Sequence, residues 1–181
     1  LGDVYKRQTL TLTRELIRRG YRIFIKGNKG PMYNEFIDAG AKFFISSRPY
    51  RRNIRGIIDD AKDIKRLIEK EEIEIIHSQS VLPTISAFLA LRSSKNKKKK
   101  PRLVFHNRGI HEFSYPIVAR AFNYMVDFVI ANSDYEKNRL IKSGLKEERC
   151  RRIHNCINIT FPEIIKINNE ILKELGLDNS I

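Results

Sequence analysis

The 181-residue sequence has no tryptophan, only two cysteines and two methionines, and no apolar stretch of about 18 residues. Without such a stretch, no segment of this sequence is expected to span a membrane. Cys150 and Cys156 are too few for the disulfide framework of a small secreted domain, and thiols used so sparingly indicate a reducing cytoplasm. A metal site built from these thiols and His154 would need three ligands on one side of one short strand, so we expect no metal site.

Three glycine motifs that mark common enzyme classes are also absent. The sequence contains neither the dinucleotide fingerprint G-x-G-x-x-G nor the P-loop G-x-x-x-x-G-K-S/T, and it has no G-x-S-x-G nucleophile elbow. We therefore expect neither a Rossmann dehydrogenase, nor a P-loop nucleotidase, nor an α/β-hydrolase.

Acidic residues are outnumbered. With 35 lysines and arginines against 21 aspartates and glutamates, the formal net charge is +14. This charge predicts attraction to phosphorylated ligands, anionic lipid surfaces or nucleic acid, and it does not choose among them. Six of the eight residues at 95–102 are basic, and a solvent-exposed loop is the simplest interpretation of that stretch.

Helical and strand patterns alternate along the chain. Helix 54–71 has the clearest period, with apolar residues three and four apart. The strands are nearly continuous apolar runs, typical of a parallel sheet covered on both faces, so we predict a doubly wound, Rossmann-like α/β domain. The predicted helices lie at about 8–19, 32–39, 54–71, 85–91, 117–125 and 135–142, and the predicted strands at 21–26, 41–45, 73–77, 103–105 and 128–131.

Candidate functional residues follow two of these strands, because ligands of an open parallel sheet bind beyond the carboxyl ends of its strands. The first group is His77 and Gln79, with a serine on either side of the glutamine. Two interpretations stay open for it: a helix N-cap beside a hydrogen-bonded histidine, or part of a binding site.

The second group is the polar segment 106–111, which follows the next strand. Imidazole and amide groups bind hydroxyls, and a guanidinium binds phosphate, so the segment predicts a site for phosphate and sugar hydroxyls. The alternative is an ordinary polar loop in which Gly109 is needed for a turn. The candidates in this segment are His106, Asn107, Arg108, Gly109 and His111.

Two further segments lie nearer the carboxyl terminus. Ser133 or Asp134 is expected to cap the helix at 135–142, with Glu136 near the capping-box position. Residues 149–158 read as a short basic strand followed by a turn.

Taken in order, these segments resemble the N-terminal domain of GT-B glycosyltransferases, in particular glycosyltransferase family 4. The resemblance extends over residues 9–177 and rests on the stretches RRGYRIFI, IIHSQS, VFHNRG and VIANSDYEKNRLIKSGLKEERCRRIHNCINI. The last stretch is the most specific, since Ser133, Gly144 and the turn at 153–158 match the family pattern. Cys156 stands where the family turn has glycine.

The resemblance implies one lobe of a two-domain retaining enzyme that moves a sugar from a nucleotide-sugar donor to a glycan or lipid-linked acceptor, of the cell-envelope polysaccharide or lipopolysaccharide type. In the family the N-terminal domain holds the acceptor, while the C-terminal domain binds the nucleotide through an E-x7-E signature, and no separate cofactor is implied. We expect residues 9–165 to form the N-terminal domain and 166–181 to begin the linker to a second domain, so that this chain alone is inactive. Residues 1–8 resemble an adapter-derived octet and are expected to be foreign.

The resemblance also implies a strand and a glycine-rich loop ahead of the first helix, with that strand lying between the strands at 21–26 and 73–77. Among the site residues, it implies that His106 faces the donor sugar, and we assign it an orienting hydrogen bond and no nucleophilic role. The remaining implied sugar-binding residues are His77, Gln79, Asn107, Arg108, Gly109 and His111, and the implied interdomain residues are Ser133 and Asn155.

Two interpretations of the basic surface stay open: an anionic membrane surface as a partner besides the two substrates, on the inner face of the cytoplasmic membrane, or a host composition rich in lysine and isoleucine. The alternative function is a basic α/β module that binds nucleic acid or other anions without catalysis. Nucleic acid is not expected, because the lysine run has no aromatic residues interleaved with it. The residues expected to face the membrane are Arg48, Arg51, Arg52, Lys97, Lys98, Lys99 and Lys100.

Overall fold

The structure, a computed structural model, describes residues 2–46, 52–94 and 100–155, with the side chains of 2–4 excepted. Helices and parallel strands alternate over this part of the chain, which confirms the predicted α/β class. The helices are α1 (Gly2–Arg18), α2 (Tyr33–Asp38), α3 (Ile54–Lys70), α4 (Val81–Ser93), α5 (Tyr115–Met125) and α6 (Asp134–Lys142). The strands are β1 (Phe24–Gly27), β2 (Lys42–Ile45), β3 (Ile75–Ser78), β4 (Arg102–Asn107), β5 (Phe128–Ala131) and β6 (Cys150–Arg152).

The described strands form two parallel sheets. The larger sheet has the order β3-β4-β5-β6, and the smaller one pairs β1 with β2. Strands β1 and β3 do not pair with each other among the described residues. The break between the two sheets therefore falls where the resemblance places a further strand.

The main hydrophobic core covers the larger sheet and includes residues of α3, α4, α5 and α6. Phe105 of β4 and Phe122 of α5 meet edge to face with their ring centroids 4.7 Å apart, a favoured aromatic geometry. A second, smaller cluster joins Leu10, Met32 and Phe36 of the α1–α2 region. The two sheets thus have separate apolar contacts.

Helix α3 links the two parts. Its side chains Ala61, Ile64 and Ile68 are buried in the main core, as the period of its sequence predicts. Beside this apolar stripe, Lys26 of β1 forms an ion pair with Asp60, and the two side chains are only 17% and 11% exposed. An ion pair this far from water ties the smaller sheet to α3.

Several predicted boundaries were wrong. Helix α1 begins at Gly2 and not near residue 8, because residues 3–8 contain neither glycine nor proline and continue the same helix. Strand β4 runs from Arg102 to Asn107 instead of 103–105, so His106 and Asn107 lie within the strand and not after it. Whether residues 1–8 are foreign stays a prediction.

The Asp60–Lys26 pair yields a stability prediction. Asp60→Asn leaves the lysine ammonium without its charged partner in a largely buried position, so it should lower the free energy of unfolding by about 1–3 kcal/mol. Urea denaturation of this variant and of the double variant Lys26→Met/Asp60→Asn measures the effect. The double variant should be the more stable of the two, and equal stability of the wild type and Asp60→Asn would contradict the prediction.

Candidate functional site

The carboxyl ends of β3 and β4 bring two histidines into contact. In the parallel ladder His77 lies opposite Val104, so His106 is two residues further along the neighbouring strand and on the same face. The two imidazole rings stack with centroids 5.4 Å apart and planes within 8° of parallel. This contact joins the two polar groups that the sequence analysis singled out separately.

Both ring nitrogens of His106 are buried and have no hydrogen-bond partner among the described residues. Burial, reinforced by His77 and Arg108, lowers the pKa of His106 to about 4. Burial and Arg108 also lower the pKa of His77, although its ring keeps an exposed side where water offsets part of the effect. Both rings are therefore neutral near pH 7, and each carries one donor and one acceptor nitrogen.

Arg108 supplies positive charge beside the histidine pair. Its Nη1 donates a hydrogen bond to the Tyr5 carbonyl oxygen at 2.6 Å, and the guanidinium lies over the Tyr5 ring at 5.2 Å. Its Nε is buried without a partner among the described residues. Burial lowers the pKa of Arg108, yet a guanidinium stays protonated in proteins.

Gln79 lies just beyond β3 and contacts α1. The Thr9 hydroxyl donates to its Oε1 at 3.0 Å. Together with Arg108, Gln79 brings the first helix to the edge of the site. The sequence offered no signal for the contact of Tyr5, because residues 1–8 lack a helical pattern of their own.

Asn107 has a different environment from its neighbour. Since side chains alternate along a strand, it points away from His106, and it is completely buried. Its Nδ2 donates to Glu136 at 2.6 Å, and its Oδ1 accepts from the Gly109 N–H at 3.0 Å. Contact with a ligand through this side chain would require it to leave both partners.

The rest of the segment forms an exposed turn. Gly109 has a φ of +114°, a conformation that favours glycine, so the turn needs this residue. His111 is exposed and its ring contacts that of Phe113 at 5.7 Å between centroids. The structure thus gives Gly109 a backbone role and leaves His111 on the surface against Phe113.

Ser133 caps α6, as predicted, because its side chain accepts a hydrogen bond from the Glu136 N–H at 3.1 Å. Glu136 itself differs from the expected capping box, since its carboxylate accepts hydrogen bonds from Asn107 and from the Tyr115 hydroxyl. Asn155 is exposed after β6. An interdomain role for Ser133 and Asn155 stays a prediction.

The basic residues expected at a membrane are only partly described. Arg52 and Lys100 are exposed, whereas Arg48, Arg51 and Lys97 to Lys99 lie outside the described residues, as does Cys156. In the described parts of the chain, no helix is both long enough and apolar enough to cross a bilayer. The same parts contain no group of three or more His, Cys, Asp or Glu residues arranged to hold a metal ion.

Solved structures share this architecture. A glycosyltransferase from Rickettsia africae has a TM-score of 0.71 at 17% identity, over 97% of this chain and 46% of that one. The Anabaena protein HepE, solved with UDP and glucose, has a TM-score of 0.62 at 16% identity, over 94% of this chain and 46% of its own. A second HepE structure, solved with UDP-glucose, has a TM-score of 0.59 at 16% identity, over 96% of this chain and 47% of its own. At these identities the likeness shows the fold, that of GT-B glycosyltransferases, and the chain spans about half the length of these proteins.

The sequence identifies the family. The model of Glycosyltransferase Family 4 matches residues 6–161, most of the chain, and the protein belongs to that family. None of the curated proteins compared with the chain matches it.

The low pKa of His106 predicts a pH-dependent stability. In the unfolded chain its imidazole binds a proton near the ordinary pKa of 6.5, but in the folded protein only near 4. The contribution of His106 is therefore fully present above pH 6.5 and is lost as the pH falls from 6.5 to about 4. Thermal denaturation from pH 7 to pH 4.5 should show a smaller loss in His106→Gln than in the wild type. The exposed control His154→Gln should keep the wild-type slope, and an unchanged slope in His106→Gln would contradict the prediction.

Proposed function

We propose that this chain is the N-terminal, acceptor-side domain of a retaining glycosyltransferase that transfers a sugar from a nucleotide-sugar donor to a glycan or lipid-linked acceptor. Membership of glycosyltransferase family 4 supports the transfer reaction. The share of the solved glycosyltransferase that the chain covers, 46%, supports a further domain in the complete enzyme. The retaining outcome is carried over from the resemblance to the family.

The observation that carries the proposal is the pair of unpartnered nitrogens on His106. A buried polar atom without a partner is costly, and a ligand hydroxyl would satisfy it. Because the ring is neutral, it can hydrogen-bond a sugar hydroxyl without placing a second positive charge beside Arg108. His106 would then orient the sugar, while stacked His77 fixes the plane of its ring.

Arg108 supports an anionic substrate group at the same edge. Its buried Nε has no partner among the described residues, so it can bind a phosphate oxygen when the Tyr5 contact is released. The HepE structures contain UDP and UDP-glucose, which is consistent with a nucleotide-sugar donor for this protein. We assign the donor no closer identity.

The first test is the genomic sequence on either side of this coding segment. We expect a following α/β domain with an E-x7-E signature, and a preceding strand with a glycine-rich loop. Start and stop codons that bracket these 181 residues would overturn the enzyme proposal. A basic anion-binding domain would then be the better explanation of the +14 charge.

His106→Ala in the complete enzyme tests the site. Loss of the orienting hydrogen bond should lower kcat/KM by about tenfold or more while the melting temperature stays near that of the wild type. Release of nucleoside diphosphate from a panel of nucleotide sugars is the measurement. His154→Ala, an exposed histidine after β6, serves as the control. Unchanged kinetics in His106→Ala would remove this residue from the site.

The membrane contact is also proposed, and the topology separates its two basic groups. Arg52 lies before α3, at the carboxyl end of β2, whereas Lys100 precedes β4, at the amino end of the larger sheet. A flat bilayer cannot contact the carboxyl ends and the amino ends of the parallel strands at the same time. The carboxyl end favours a membrane, because exposed Ile54 and Ile58 of α3 lie beside Arg52 and Arg55.

Charge reversal distinguishes the two groups. Each arginine near an anionic surface contributes about 1 kcal/mol, so Arg52→Glu/Arg55→Glu should weaken binding to phosphatidylglycerol vesicles by about tenfold or more. The control Lys100→Glu/Lys142→Glu makes the same change in net charge at the amino end and should have a much smaller effect. Co-sedimentation measures both. Equal losses in the two variants would show that binding follows net charge and not the α3 surface.

A further inference from the structure

Helix α6 holds the segment 107–115 at both of its ends. Two of its side chains, Glu136 and Arg139, are three residues apart and so lie on one face of the helix. Between the two ends of the segment stand Arg108 and His111. From the sequence alone, α6 is expected to contribute only its serine cap.

The first end is held by a chain of hydrogen bonds that starts at Glu136. Its Oε2 accepts from Asn107 Nδ2 at 2.6 Å and from the Tyr115 hydroxyl. Asn107 in turn accepts the N–H of Gly109 at 3.0 Å. One carboxylate oxygen is thus linked through a side-chain amide to the backbone of the turn that follows Arg108.

The second end is held by Arg139. Its guanidinium lies 4.1 Å from the centroid of the Tyr115 ring, within the range of a cation–π contact. Its Nη2 also donates to Glu112 Oε1 at 2.8 Å. Glu112 stands directly after His111, so this contact fixes the far side of the turn.

The two donors that bind Glu136 are shielded from water. Asn107 is completely buried and Tyr115 is 2% exposed, so water cannot readily replace the carboxylate as their partner. Burial, followed by the hydrogen bond to Glu136, raises the pKa of Tyr115, which keeps the phenol protonated as a donor. Loss of the carboxylate would leave two buried donors unsatisfied.

We propose that Glu136 and Arg139 are positioning residues that hold the segment 107–115 in the conformation in which Arg108 lies beside the His77–His106 pair. Glu136 acts through Asn107, Gly109 and Tyr115, and Arg139 acts through Tyr115 and Glu112. The position of Arg108 is a property of the fold and does not depend on the function proposed above. The importance of this position for sugar transfer rests on that proposed function.

Three variants of the full chain test the proposal. Glu136→Ala removes the acceptor, Glu136→Gln keeps an oxygen at the same place without the charge, and Tyr115→Phe removes one donor and little else. Glu148→Ala is the matched control, since it deletes an exposed carboxylate before β6. Nuclear magnetic resonance reports two local quantities in each: the amide exchange rate of Gly109 and the titration of the His106 ring.

Glu136→Ala should raise the exchange rate of the Gly109 amide by about tenfold or more, while amides of Phe105 and Val129 in the core strands stay protected. The pKa of His106 should rise toward its ordinary value, because Arg108 moves away and water enters. Deleting a negative charge lowers an imidazole pKa, so a rise cannot come from the lost carboxylate itself. Glu136→Gln should keep the Gly109 exchange rate and the His106 pKa close to their wild-type values. Tyr115→Phe should change both in the same direction as Glu136→Ala, but by less. Glu148→Ala should leave both unchanged.

The proposal is overturned if Gly109 exchange and the His106 titration stay at wild-type values in Glu136→Ala and Tyr115→Phe, even when the melting temperature falls. It is equally overturned if Glu136→Gln behaves as Glu136→Ala. These measurements need no substrate. If His106→Ala leaves turnover intact in the complete enzyme, His106 is removed from the proposed sugar site, while the outcome for Glu136 still stands by itself.

Discussion

The two-residue period of β4 is the constraint on which the site depends. Leu103, Phe105 and Asn107 point into the protein and are buried, whereas Val104 and His106 point to the other face. A register shift of one residue would place an imidazole in the main core and a phenylalanine at the site. The apolar anchoring of the buried residues therefore determines where the functional histidine stands.

The sequence was sufficient for the alternation of elements and for the candidate histidines, because polar side chains at the ends of apolar strands are a local signal. The stacking of His77 on His106 could not be predicted in the same way, since it depends on the register of strands that are distant in sequence. Glu136 shows the same limit. Local spacing indicates a capping box, but its carboxylate binds Asn107, which is 29 residues away.

The first helix was the least predictable part of the site. Residues 2–8 lack the apolar period that marks the rest of α1, and only the tertiary contact of Tyr5 with Arg108 shows that they lie at the edge of the site. Arg108 is consequently bounded by α1 on one side and by the turn that α6 supports on the other. Its Nη1 already donates to the Tyr5 carbonyl oxygen, while its Nε has no partner among the described residues.

The break between β1 and β3 leaves the described residues with two sheets and two apolar clusters of unequal size. The larger has its own apolar core, while the smaller relies on Leu10, Met32 and Phe36 and on the Lys26–Asp60 pair. A unit with so few buried contacts opens at a lower free energy than the rest. Helix α1 contributes Leu10 to that smaller cluster, so we expect the wall of the site that α1 forms to open more readily than the strand that carries His106.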